Sequence, residues 1–216
     1  LGTGFAALFG LSNIFIYLKQ IDYFAQSTLL NPFTHTWSLG VEEQFYLIFP
    51  VIVWVSGFAR NGIADFKKLS IILSFLSSFS LVSFIFLHGP NQEASYYLMP
   101  NRFWEIAVGS IVYLTVRKKI NFIERINDIP SIILFIGLIL TLFLPKSYSI
   151  LSTLIIVLFT SLLIANIQKR SIIYSILSNK YIVYIGLLSY SLYLWHWGVL
   201  SISRWTIGIH WWSIPI

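Results

Sequence analysis

LSIILSFLSSFSLVSFIFL, residues 69–87, runs for 19 positions without one charged side chain. Wound as a helix that rises about 1.5 Å per residue, it is long enough to cross the roughly 30 Å of hydrocarbon in a bilayer. Runs of the same character recur on both sides of it, at about 1–18, 36–58, 102–116, 129–144, 149–168 and 181–203. Another begins near 209, with Trp211, Trp212, Ile214 and Ile216. These runs are too long for the ~10-residue strands of a membrane barrel, and they do not alternate. The fold class is therefore all-α: a polytopic transmembrane helix bundle of about seven to eight spanning segments, forming one domain over residues 1–216.

Composition leads to the same solvent. Hydrophobic residues make up 57% of the chain and charged residues 10%, and the mean hydropathy is +0.79. A soluble domain carries roughly 25% charged residues, and this much apolar surface cannot all be hidden in one core. The net charge of +6 would fit a nucleic-acid binder in a soluble protein. Here the bases sit in short connectors, so the charge reads as membrane orientation and nucleic acid is not an expected partner. Zero cysteines exclude disulfides, thiolate metal sites and Cys nucleophiles. The chain starts at Leu1 inside an apolar run and stops at Ile216 inside another, so it reads as part of a longer protein.

Direction follows from the connectors. Arg60, Lys67 and Lys68 lie in 59–68, Arg117, Lys118, Lys119 and Arg125 in 117–128, and Lys169, Arg170 and Lys180 in 168–180. The connectors between them carry single bases, among them Lys19, Lys146 and Arg204. By the positive-inside rule, 59–68, 117–128 and 168–180 are expected in the cytoplasm, and the connectors near 19–35, 88–101, 145–148 and 204–208 outside. That makes it a multi-pass membrane protein, expected in the inner membrane, with lipid as its first partner.

Ionisable groups inside spanning segments are costly, so each is a functional candidate. His35, Trp37, Ser38, Glu42, Glu43 and Gln44 crowd the start of the second run, with His35, Ser38 and Glu42 near one helix face. A lone buried carboxylate is commonly packing glue between helices, but two adjacent acids with a histidine favour a site. Arg102 and Glu105, three residues apart, can pair on one face. They read equally as an interfacial anchor or as a receptor for a carboxylate or phosphate. Ser189, Tyr193 and His196 share a face of the last full run, where His196 is either a hydrogen-bonded core residue or a proton shuttle. All three clusters fall toward the expected outer side. No metal-ligand spacing and no Gly-rich nucleotide loop is present.

At these residues the chain resembles a known family. HTWSLGVEEQFYLIFP (His35 to Pro50) is similar to the signature of the acyltransferase-3 membrane proteins. NRFWEIAVG (Asn101 to Gly109) resembles that family's later Arg-x-x-Glu-x-x-x-Gly segment, and SYSLYLWHWGVL (Ser189 to Leu200) its late Ser-x-Tyr-Leu-x-His element. Gly198 stands where the family usually has proline. The resemblance implies transfer of an acyl group, commonly acetyl, from acyl-CoA to a hydroxyl of an extracytoplasmic glycan such as O-antigen lipopolysaccharide, peptidoglycan or exopolysaccharide. Acetyl-CoA is then a donor substrate, and no bound cofactor is implied. The family's catalytic histidine and its acyl-CoA-holding bases belong to helices upstream of Leu1, so residues 1–216 alone are expected to be inactive. Glu42, Glu43 and His35 would take supporting catalytic roles, with the carboxylates orienting the base. Arg102, Glu105, Ser189, Tyr193, His196 and Trp37 would bind substrate. A transporter or flippase with buried carboxylates is the rival reading, and a non-catalytic scaffold is a second. Oligomeric state is left open.

Overall fold

The computed structural model describes residues 2–19, 30–61, 65–118, 129–167, 171–206 and 208, and every regular element among them is helical. The helices are α1 (Gly2–Ala7), α2 (Ser12–Leu18), α3 (Trp37–Ser56, entered through a 3-10 turn at Thr34–Thr36), α4 (Phe58–Asn61), α5 (Phe66–Leu87) and α6 (Gln92–Tyr97). They continue with α7 (Met99–Arg117), α8 (Ser131–Thr141), α9 (Ser149–Asn166, after a 3-10 turn at Lys146–Tyr148), α10 (Ile172–Leu177) and α11 (Lys180–Thr206). The segment near 209 and the bases Lys119, Arg125, Lys169 and Arg170 lie outside the described residues.

Thr34–Ser56, Phe66–Leu87 and Ser149–Asn166 are long and apolar enough to cross a membrane. α7 and α11 have the length, at 19 and 27 residues, but carry the polar clusters. α8, at 11 residues, falls short of the ~20 needed for one crossing. Among the described residues, three of the expected seven to eight runs form helices that meet both the length and the apolarity requirement.

The expected crossing at 1–18 is broken. α1 and α2 are separate short helices, with Gly10 between them at φ 65°, in the left-handed region that L side chains avoid. The break is held from outside: the Gln44 amide donates to the Gly10 carbonyl at 2.9 Å. Gly10 freed from a helix turns its carbonyl toward α3, and Gln44 satisfies it.

α3, α5 and α7 form the centre. α5 and α7 make an antiparallel hairpin through α6, and both pack on α3. Phe45, Leu69, Leu73, Phe103, Ala107 and Leu114 are buried in the shared core. Asn91 caps α6 by accepting the Ala94 N–H at 2.9 Å. Leu98 is extended and Pro100 opens α7, where a missing N–H costs nothing. The corner is fixed by buried Asn101, which donates to the Ala94 carbonyl and accepts from Ser83 Oγ, both at 2.7 Å. At the other end, Gly57 at φ 81° closes α3, and the Lys118 ammonium sits 4.7 Å from the Phe66 ring centroid. Arg60, Lys67, Lys68, Arg117 and Lys118 thus gather at one end of the hairpin, with Arg102 and His88 at the other.

Gly40 marks the closest approach of α3 to the first segment. A Cβ there would lie 2.8 Å from Asn13 Oδ1 and 3.1 Å from the Gly10 carbonyl. Gly40→Ala is expected to push α2 outward and cost about 1–3 kcal/mol. Unfolding of the purified protein in detergent reads the loss, and an unchanged midpoint would mean that the approach is slack.

Candidate functional site

The N-terminal turn of α3 stands between two polar clusters, one shared with α11 and the other with α6 and α7. Its residues alternate between them because a 3-10 turn feeding an α-helix sends successive side chains to different sides.

Toward α11, the Tyr193 hydroxyl donates to the His35 carbonyl, and Ser38 Oγ lies 2.5 Å from the same phenol oxygen. With the phenol proton committed to the carbonyl, Ser38 is the donor of that second bond. The His35 ring is buried, its centroid 5.2 Å from Tyr193 and 5.6 Å from His196. Both of its ring nitrogens are buried, with the backbone of Leu194 and Pro32 beside them. His196 Nδ1 lies 2.7 Å from the Tyr193 carbonyl and 3.1 Å from that of Leu192. Facing only acceptors, Nδ1 carries a proton. Trp197 Nε1 donates to the Asn31 carbonyl at 2.9 Å, and Arg204 lies over the Trp197 ring at 5.4 Å. His35, Tyr193 and His196 are thus brought together, and they dock α11 on the start of α3. Ser189 stays apart: it is exposed, and its hydroxyl turns back to the Gly186 carbonyl at 2.7 Å.

Toward α6 and α7, Trp37 is 6% exposed and packs on Tyr96 and Tyr97 at centroid distances of 4.5 and 5.5 Å. The Arg102 guanidinium lies 5.1 Å from the Trp37 ring and 5.5 Å from that of Tyr96. Glu105 takes the guanidinium edge-on: Nη2 donates to Oε2 at 2.7 Å, and Nε to both carboxylate oxygens at 3.1 and 3.2 Å. This is the ion pair expected from the i, i+3 spacing. It is a planar fork laid against aromatic faces, the arrangement that arginine supports and lysine does not.

Arg102 and Glu105 line a cleft of about 660 Å³ between α6, the end of α5 and the starts of α7 and α9. His88, Glu93, Tyr96 and Ser149 also face it. His88 Nε2 is 3.0 Å from Ser149 Oγ, which ties α5 to α9 across the cleft floor. His35, Glu42, Glu43, Tyr193 and His196 are not among its walls. The three clusters therefore lie at one end of the bundle and meet through α3, and of the three only the Arg102–Glu105 cluster lines this cleft among the described residues.

Glu42 is exposed on α3 and Glu43 half-buried, with its carboxylate beside Gly10. Neither makes an ion pair or hydrogen bond among the described residues. Gln44 differs: its amide donates to Asn13 Oδ1 at 2.8 Å and accepts from Asn13 Nδ2 at 3.4 Å. It belongs to the packing of α2, although in sequence it stands with the two acids.

Four cleft residues carried no sequence signal of function. His88, Glu93, Tyr96 and Ser149 fall in connectors or at helix starts, where polar side chains are ordinary. Asn13 had a signal, an amide in the middle of an apolar run, which in hydrocarbon demands a partner.

Known proteins resemble this chain over most of its length. A Staphylococcus aureus (strain COL) protein, named provisionally as an O-acetyltransferase, is 32% identical over 209 residues, covering 91% of this chain and 34% of that protein. A Bacillus subtilis (strain 168) protein, named provisionally as a peptidoglycan O-acetyltransferase, is 27% identical over 220 residues, covering 94% of this chain and 34% of that protein. An uncharacterized Haemophilus influenzae protein is 37% identical over 144 residues, covering 63% of this chain and 57% of its own length. The chain thus spans about a third of the length of the first two. No solved structure matches it significantly. The profile described as an acyltransferase domain, acyltransferase-3, matches residues 2–216, and it takes in the α3 acids, the Arg102–Glu105 fork and the Tyr193–His196 contact alike: the chain belongs to the acyltransferase-3 family of membrane proteins.

Proposed function

We propose that this domain serves a membrane O-acyltransferase, which moves an acetyl or related acyl group from acyl-CoA to a hydroxyl of an extracytoplasmic glycan. The observation that carries this reading is the His35 to Pro50 stretch: it matches the family signature and also forms the turn from which both polar clusters are built. Orientation supports it. The bases of α4, α5 and α7 gather at the end opposite Arg102, so the positive-inside rule puts them on the cytoplasmic side of the inner membrane and the cleft on the outer side, where a glycan would be met.

Acyl transfer to an alcohol needs a base for the hydroxyl proton and donors or charge for the developing oxyanion. Glu42 and Glu43, with no partner among the described residues, are free to orient an imidazole base. His196 lies beside buried His35. The Arg102–Glu105 fork and the aromatic wall beside it hold the acceptor.

The test uses the whole protein that carries this domain, reconstituted in vesicles with radiolabelled acetyl-CoA and glycan. Label on the glycan is the expected result. Glycan movement without label would replace this reading with transport. Glu42→Gln and Glu43→Gln are each expected to lower label transfer on the order of 10²-fold. Full transfer in both variants would leave the acids a structural role only.

A further inference from the structure

Arg102 is the natural candidate for gripping an acidic ligand, but its surroundings argue against that use. Its Nε and Nη2 are spent on Glu105, and its cationic face lies over Trp37 and Tyr96. The fork is partly buried, with the two side chains 23% and 17% exposed, so its charges are only partly screened by solvent. Of the cleft's walls among the described residues, Arg102 is the base of fixed charge, and Glu93 and Glu105 are the acids. Once the fork is paired, one carboxylate remains in excess. An anion entering the cleft must face Glu93 and either pull Arg102 from Glu105 or sit beside a guanidinium already neutralised. Removing one partner of such a pair strands the other charge, which is costly. A hydroxyl meets no such penalty: it can donate to a carboxylate oxygen or accept from the remaining guanidinium N–H while the fork stays closed. The rest of the wall suits an uncharged ring, with Phe84, Tyr96 and Tyr97 beside Asn91 and Ser149.

We infer that the cleft between α6, α7 and α9 selects an uncharged, hydroxyl-bearing sugar over an anionic one, and that Glu105 sets this choice by balancing the positive charge of Arg102. The inference rests on the glycan-acceptor reading above and adds the charge class of the acceptor. Glu105 is thereby a specificity-determining residue, and its effect is opposite in sign to that of a simple anchor. Loss of an anchor weakens every ligand, whereas release of Arg102 strengthens one class.

Binding without acyl donor tests this directly. The whole protein in nanodiscs is titrated with chitin tetrasaccharide, which is uncharged, and with hyaluronan tetrasaccharide, in which alternate sugars carry a carboxylate. Wild type is expected to bind the uncharged probe about tenfold tighter, equivalent to about 1.4 kcal/mol. Glu105→Gln keeps the side-chain shape and frees the guanidinium charge, and it should bring the ratio to one or reverse it. Glu93→Gln, which leaves the fork intact, should move the ratio in the same direction by less. A wild-type preference for the carboxylated probe overturns the inference, as do binding of neither probe and an unchanged ratio in Glu105→Gln. Acetyl transfer is read separately. Charge discrimination without transfer counts against the enzymatic reading alone, and transfer with the opposite charge preference counts against this inference alone.

Discussion

Trp37→Ala is expected to destabilise the bundle by about 3–5 kcal/mol, the range for deleting a large aromatic side chain from a packed core. The indole is 6% exposed, and it fills the space between the entry turn of α3 and the Tyr96–Tyr97 pair of α6. Lipid tails are as apolar as the ring, so the loss is mostly of dispersion contact rather than of hydrophobic burial. A second cost comes from Arg102, which loses one of its two aromatic faces, a contact of about 0.5–2 kcal/mol. For a chain of this size, a loss of 3 kcal/mol lowers the unfolding midpoint by on the order of 10 °C. Thermal unfolding in detergent measures it, with Trp37→Phe as the partial replacement that should recover a good part. A midpoint within about 2 °C of wild type for the alanine variant would mean that the ring stack does not hold α6 in place.

Gln44→Leu is expected to cost about 2–4 kcal/mol, although it leaves the volume nearly unchanged. The substitution strands the Gly10 carbonyl and one end of the Asn13 amide, and an unsatisfied buried polar group costs about 1–3 kcal/mol. Asn13 is fully buried and also donates to the Tyr97 carbonyl at 3.0 Å, so it has no route to water. The coupling gives the sharper test. In the double variant Asn13→Leu/Gln44→Leu the two amides vanish together, and the total loss should be smaller than the sum of the single losses by about 1 kcal/mol. Strict additivity would break the claim that the amides satisfy each other. Glycan labelling per folded molecule should change far less in Gln44→Leu than in Glu43→Gln, because Gln44 acts on the fold.

The adjacent residues Glu42, Glu43 and Gln44 show where reading along a chain stops. A helix turns about 100° per residue, so three neighbours point three ways. One side chain goes to solvent or lipid, one to the side of Gly10 and one into the amide pair with Asn13. Their shared rarity in apolar surroundings is legible in the sequence, and the division among them is not. The same holds for the run at 1–18, where composition alone reads as one crossing. Gly10 is a weak break signal by itself, because a helix tolerates a glycine at about 1 kcal/mol. The break becomes favourable only because Gln44, 34 positions away, meets the carbonyl it frees.

The sequence by itself determined the helical class, the lengths of the central helices, the end of the bundle at which the bases collect, the Arg102–Glu105 pair and the family. Each follows from local period, run length or a contiguous motif, and none depends on which helices touch. Only the tertiary structure decided that Trp37 and Tyr96 hold the Arg102 fork, that His35 meets His196, and that His88 and Ser149 close the cleft floor. Those contacts join residues from separate helices. Helix-to-helix packing fixes them, and apolar segments of nearly equal hydropathy carry almost no record in their own residues of which neighbour they will find.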